Sequence, residues 1–155
     1  MLTRKGKYGL KAMLTLARDH GRGPVLIGDL AEQDAIPKKF LENILLTLKH
    51  RGLVQSRKGP HGGYQLGRSP DRISVGDVIR ALDGPLALVS CVSQTAYAPC
   101  EECVTEHDCA VRRVFQRVRD ETARILDGTT LEAAAAAPRE ADPALIHTIQ
   151  PGDAP

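Results

Sequence analysis

The sequence has no Trp, and aromatic side chains make up only 3% of its 155 residues. Any core it builds must therefore be aliphatic. No run of about 18 apolar residues occurs, so no segment reads as a membrane-spanning helix. The basic N-terminus, MLTRKGKYGLKAM, lacks the apolar stretch of a signal peptide, and a cytoplasmic location is expected. A nucleophile–base motif, a phosphate-binding loop and a glycine-rich dinucleotide fingerprint are also missing. His20, His50, His61, His107 and His147 are scattered along the chain, so the expectation is a protein that is not an enzyme. Cysteine is absent outside residues 91–109, where Cys91, Cys100, Cys103 and Cys109 all lie. In a reducing compartment, thiols this clustered bind metal or sense redox state more often than they form structural disulfides.

What is present is unevenly placed. The net charge of +2 conceals a basic half and an acidic half. Residues 1–68 carry 13 Lys/Arg against 5 Asp/Glu, and residues 69–155 carry 8 against 14. Such segregation suits a protein whose first half faces a polyanion, with nucleic acid the leading candidate.

Apolar periodicity predicts a helix over residues 5–20, closed by GRGP, and a short helix with Ile27, Leu30 and Ala31 on one face. DAIP turns the chain, with Pro37 at a favoured helix start. A third helix then puts Phe40, Leu41, Ile44, Leu45 and Leu48 on a broad apolar face. Helix, short helix, tight turn, helix is the helix-turn-helix pattern. LVQSR, KGPHGG and YQL follow as strand, turn and strand, which make a wing. The outer face of the third helix offers Lys38, Lys39, Glu42, Asn43 and Lys49, side chains that can contact base edges or phosphates. Arg57, Lys58 and His61 stand at or near the wing tip. The tip's glycines, Gly62 and Gly63 among them, would let backbone approach a phosphate.

ISVGDVIRAL (73–82) reads as a helix capped by Ser74, with Asp77 three residues on. A long helix after Cys109 carries a stripe of Val111, Val114, Phe115, Val118, Thr122, Ile125 and Leu126. A stripe of this kind needs a partner, and the same helix of a second subunit supplies one economically. Four close thiolates repel one another unless a cation or cluster relieves them. One Cys-x-x-Cys flanked by longer spacings leans toward iron–sulfur over zinc. A thiol–disulfide switch is the third reading, but Glu101, Glu102, Glu106 and Asp108 surround the cysteines where a reactive thiolate wants cations. An iron–sulfur electron carrier would need neither a wing nor a basic half. The expected division is a winged helix-turn-helix domain over 1–68, a linking helix over 69–90 and a cysteine-rich loop over 91–109. A dimerisation helix with a short C-terminal helix spans 110–137, and a flexible tail spans 138–155.

LTRKGKYGLKAM, LENILLTLKHRGLV, GPHGGYQLGR and ISVGDVIRALDG, together with a cysteine loop leading into a long helix, resemble the Rrf-two (Rrf2) family of bacterial winged-helix regulators, of the IscR, NsrR and RirA kind. The resemblance covers about residues 1–135. It implies a mainly α fold with a small β-hairpin wing, and a homodimer on a palindromic double-stranded operator. It also implies a 2Fe–2S cluster, with 4Fe–4S the other form, that governs DNA binding as a redox sensor; a repressor is the expectation. Phe40, Glu42 and Asn43 fall where the family's recognition helix reads DNA, and Lys58 at the wing's basic position. Cys91, Cys103 and Cys109 match the family's three cysteines. The usual sources of a fourth ligand are replaced here by Lys7 or Tyr8 and by Arg112. The resemblance therefore leaves Cys100 as the fourth ligand to the iron, with His107 the alternative.

Overall fold

The computed structural model describes residues 2–101, 103 and 105–136, so the expected tail at 138–155 lies outside them. Six helices and one hairpin follow in order. They are α1 (Arg4–Arg18), α2 (Ile27–Asp34), α3 (Lys38–His50), β1 (Val54–Arg57), β2 (Gly63–Leu66), α4 (Val75–Leu82), α5 (Ala110–Gly128) and α6 (Leu131–Ala136). Short 3-10 turns stand at Pro70–Arg72 and Ser90–Val92. The expected mainly α fold with a hairpin wing is the one the chain forms.

Local chemistry explains the boundaries. Thr3 caps α1, its hydroxyl accepting from Gly6 N at 3.1 Å, while its own N–H donates to Asp83 Oδ2 at 2.9 Å just beyond α4. Ser74 and Asp77 close the reciprocal capping box expected for α4. The turn between α2 and α3 depends on Ala35, which takes a left-handed conformation (φ 51°) with no glycine to ease it. Neighbours hold that turn in place. Lys11 Nζ donates to the Asp34 carbonyl at 2.9 Å, a cation at the negative end of α2. The buried Asp34 carboxylate accepts from Thr15 Oγ1 at 3.0 Å.

β1 and β2 pair antiparallel, from Val54 opposite Leu66 to Arg57 opposite Gly63. Val25, before α2, exchanges two hydrogen bonds of 2.8 Å with Tyr64 and so ties the wing's base to the helical body.

Met13, Leu30, Leu41, Ile44, Leu45 and Leu48 form the aliphatic centre, and Ile73, Val78 and Leu131 complete it. The last three come from beyond residue 68: α4 walls the core that α1, α2 and α3 build, and α6 returns to close it. An antiparallel bridge secures that return: Val75 N donates to Thr129 O at 2.9 Å and Leu131 N to Ile73 O at 2.8 Å.

α5 differs from every other long helix in having no buried residue. At its C-terminal end Arg80 of α4 grips Asp127 with two parallel hydrogen bonds of 2.6 and 2.8 Å. Gly76 makes room for this fork, since a Cβ there would stand 2.0 Å from Asp127 Oδ1. The hydrogen bond and charge of Arg80 hold the Asp127 carboxyl below the usual carboxylate range. A depressed folded-state pKa stabilises the fold above about pH 4, and that stabilisation is lost on further acidification. Both partners are partly exposed, so Asp127→Asn should cost about 0.5–1 kcal/mol near pH 7. In urea unfolding the difference between wild type and variant should shrink from pH 7 to pH 3. Parallel pH profiles would mean that the fork contributes nothing.

Candidate DNA-reading face and thiol site

The outer face of α3 carries most of the side chains expected on it. Lys38, Lys39 and Asn43 are exposed. Glu42 is half-buried and pairs with Lys39 at 3.3 Å. Surface pairs of this kind contribute little, so a DNA backbone can take Lys39 from Glu42 at small cost. Phe40 is 36% exposed, and its ring meets Tyr8 of α1 edge-on at 5.8 Å. Lys49 is not free to read DNA, because its Nζ donates to Ser56 Oγ at 2.7 Å and ties α3 to the wing.

Arg57, Lys58 and His61 are exposed at the wing tip, a cationic prong beside α3. Gly62 is buried, and its N–H donates to Gly59 O at 2.9 Å. A Cβ on Gly62 would meet Arg57 O at 2.4 Å, and one on Gly63 (φ 146°) would meet Val25 O at 2.4 Å. Both glycines therefore let the wing fold closely on the protein's own backbone.

The thiols divide into three and one. Cys103 lies beside Cys100 and Cys109, and these neighbouring thiols push its own up to about 11. Cys109 caps the N-terminus of α5, its Sγ accepting from Arg112 N at 3.4 Å. That backbone hydrogen bond, with further help from Cys103, Val111 N–H and the Arg113 charge, lowers its pKa. A thiol at a helix N-terminus is a thiolate in the making. Cys91 stands apart in the Ser90–Val92 turn, only 7% exposed. It is not among the groups that perturb Cys103 or Cys109. Its neighbour in charge is Tyr97, whose hydroxyl donates to Glu106. His107 is exposed on the turn before Cys109.

The donor set fits a soft metal or an iron–sulfur cluster chemically, with Cys103 beside both Cys100 and Cys109. Among the described residues, however, no three His, Cys, Asp or Glu side chains are arranged to hold a metal ion. Cys91 is the buried one of the four. The spacing of the cysteines gave no sign of this, because the burial of Cys91 depends on tertiary packing. Nor did the sequence signal the fork between Arg80 and Asp127, which are 47 positions apart.

Residues 2–137 match the family model Rrf2, described as an iron-dependent transcriptional regulator. An rrf2-like HTH-type transcriptional regulator of Rhodobacter capsulatus is 41% identical over 135 residues, 85% of this chain and 90% of that protein. The structure of CymR, the global cysteine regulator of B. subtilis, matches with a TM-score of 0.73 at 37% identity, covering 87% of this chain and 95% of CymR. That of T. potens IscR matches with a TM-score of 0.69 at 30% identity, covering 95% and 96%.

The thiol environments predict an order of reactivity. In reduced, metal-free protein treated with iodoacetamide near pH 8, Cys109 should be alkylated before Cys103, and Cys91 should stay protected until the protein is denatured. Peptide mass spectrometry over a time course gives the order. Equal rates at Cys103 and Cys109 would show that the α5 cap does not act on the thiol.

Proposed function

This chain belongs to the Rrf2 family of winged-helix transcriptional regulators, and from that footing we propose that it is a homodimeric, sequence-specific DNA-binding regulator that senses iron, cluster or redox and nitrosative status through the thiols of residues 91–109. One observation carries the reading: Cys109 caps the first turn of α5 with Cys103 beside it, while the last turn of α5 is held to α4 by the Arg80–Asp127 fork. A change at the thiols is thereby a change at one end of a lever.

The ligand set that fits is Cys91, Cys100, Cys103 and Cys109 around a 2Fe–2S cluster, with 4Fe–4S the other form and His107 the alternative fourth ligand. Such a cluster supplies redox chemistry and a covalent tie that is lost when iron is short. The chain's own residues do the rest. Cys109 would exchange its cap on Arg112 N for the new bond, and Cys91 would be drawn out of its turn. Arg80 and the 74–130 bridge carry the displacement to α4 and the core. Lys38, Lys39, Glu42 and Asn43 present the reading face, and Arg57, Lys58 and His61 grip phosphate.

A thiol switch is the second reading, favoured by the contact of Cys103 with Cys100 and Cys109 and by the lowered pKa of Cys109. There, hydrogen peroxide would take two electrons from a pair of these thiols: an S–S bond forms, the O–O bond breaks, and the two thiol protons leave on the peroxide oxygens as two waters.

Anaerobic purification, with iron, sulfide and visible absorption measured and operator affinity titrated, separates the two. Cys91→Ala, Cys103→Ala and Cys109→Ala should each lose the chromophore. Holo and apo forms should differ about five- to 150-fold in affinity. Lys58→Ala, run alongside, should weaken binding to every duplex and flatten the salt dependence by about one unit of slope. Zinc without iron, or equal affinity of the two forms, refutes the cluster reading. A peroxide response that survives Cys91→Ala but not Cys109→Ala supports the switch.

The exposed face of α5 supports a second subunit packed against it. Val111, Val114, Val118 and Ile125 are 58%, 58%, 41% and 57% exposed, an apolar strip with no cover among the described residues. Two such strips facing each other about a twofold axis would present two reading faces to a palindromic operator. Val118→Glu would place a charge against its symmetry mate, costing several kcal/mol. It should give monomers in sedimentation and abolish binding to a two-half-site operator. A variant that remains dimeric would place the interface elsewhere.

A further inference from the structure

The side of α5 that faces its own chain holds an arginine with unmet hydrogen-bonding capacity. The Arg119 side chain is only 10% exposed. Its Nη2 stands 3.0 Å from Asp120 Oδ1 on the outer side of the helix, but its Nε is buried with no hydrogen-bond partner among the described residues. A buried N–H without an acceptor costs about 1–3 kcal/mol, so something is expected to meet it. Arg119 lines a pocket with Arg80 of α4 and with Ser93, Gln94 and Thr95 of the segment after the Ser90–Val92 turn. Pro85, Leu86, Ala87 and Ala123 form the apolar part of the wall, and the two arginines with Ser93, Gln94 and Thr95 form the polar part. Ser93 is 8% exposed, and its hydroxyl accepts from Ala96 N at 3.0 Å, which leaves the hydroxyl proton to donate.

The geometry points to a binding site for a small oxyanion, a carboxylate or phosphate group, between α4, residues 93–95 and α5, with Arg119 as its principal donor. The enclosed volume of about 20 Å³ exceeds what one water needs but admits only the tip of a ligand. The occupant is therefore a charged head group, either a free ion or the end of a small acid whose remainder points outward. Arg80 borders the same pocket while gripping Asp127. An oxyanion there competes with Asp127 for Arg80 and so acts on the clamp that positions α5. This site uses none of the four thiols.

The test is a titration of the full-length protein at constant ionic strength with acetate and with inorganic phosphate, against chloride as the blank, followed by amide and arginine Nε–H NMR. Saturable shifts are expected at residues 93–95 and at the Arg119 Nε–H. They should be unchanged by Lys58→Ala, which removes a wing cation, and weakened about tenfold or more by Arg119→Gln. Tighter binding of acetate assigns a carboxylate; tighter binding of phosphate assigns a phosphate group. Thr95→Val, which leaves the arginines in place, should also weaken binding and serves if Arg119→Gln does not fold. Shifts confined to α3 and the wing, or no saturation at residues 93–95 in the wild type, overturn the site and leave a pocket that holds only water.

Discussion

A helix of 19 residues that buries none of them in its own chain is positioned by its ends. For α5 the two ends are unlike. The C-terminal end is fixed by the Arg80–Asp127 fork and by the bridge that sends α6 back into the core, which the fully buried Leu131 then joins. The N-terminal end is held by a sulfur cap and by a loop whose polar side chains pair mostly with one another. Strength at one end and chemical lability at the other is the arrangement a sensor needs. A signal acts only where the free energies of two states are close enough to be exchanged.

The cysteine loop is best understood against that asymmetry. Cys103 is raised in pKa by its thiol neighbours and Cys109 is lowered by the helix it caps. Cys91 is buried in the turn directly before Ser93. The family match is to proteins named as transcriptional regulators. No described helix is long and apolar enough to cross a membrane.

Much of the fold was legible in the sequence because it rests on local rules. The period of the apolar residues marked each helix, Ser74 and Asp77 announced a capping box, and turn residues bounded the hairpin. Boundaries shifted by a residue or two, as they do at helix ends. What could not be seen depends on distant pairs. Ala35 gives no hint of a left-handed turn, since alanine has no preference for one. Leu131 sits in an alanine-rich stretch that reads as an appendage, yet it is fully buried where α6 packs on α1 beside the Ser74–Thr130 bridge. The wing glycines were recognised as points of close approach, but sequence cannot say what approaches. The cysteines stand out in the sequence by their clustering; that Cys91 is buried while Cys103 lies beside Cys100 and Cys109 depends on packing that spacing does not show.

The construction of the wing bears on the thermodynamics of binding. Its tip is pinned by the Gly62–Gly59 hydrogen bond and packed backbone to backbone on Val25, and its base is tied to α3 through Lys49 and Ser56. A loop fixed in this way has already lost its conformational entropy before DNA arrives. Docking then orders only the ends of Arg57, Lys58 and His61, and the ordering cost is that of a few side chains, not of a segment. The heat-capacity change on operator binding should accordingly be the modest one of two rigid bodies meeting, without the large negative value that accompanies folding on DNA.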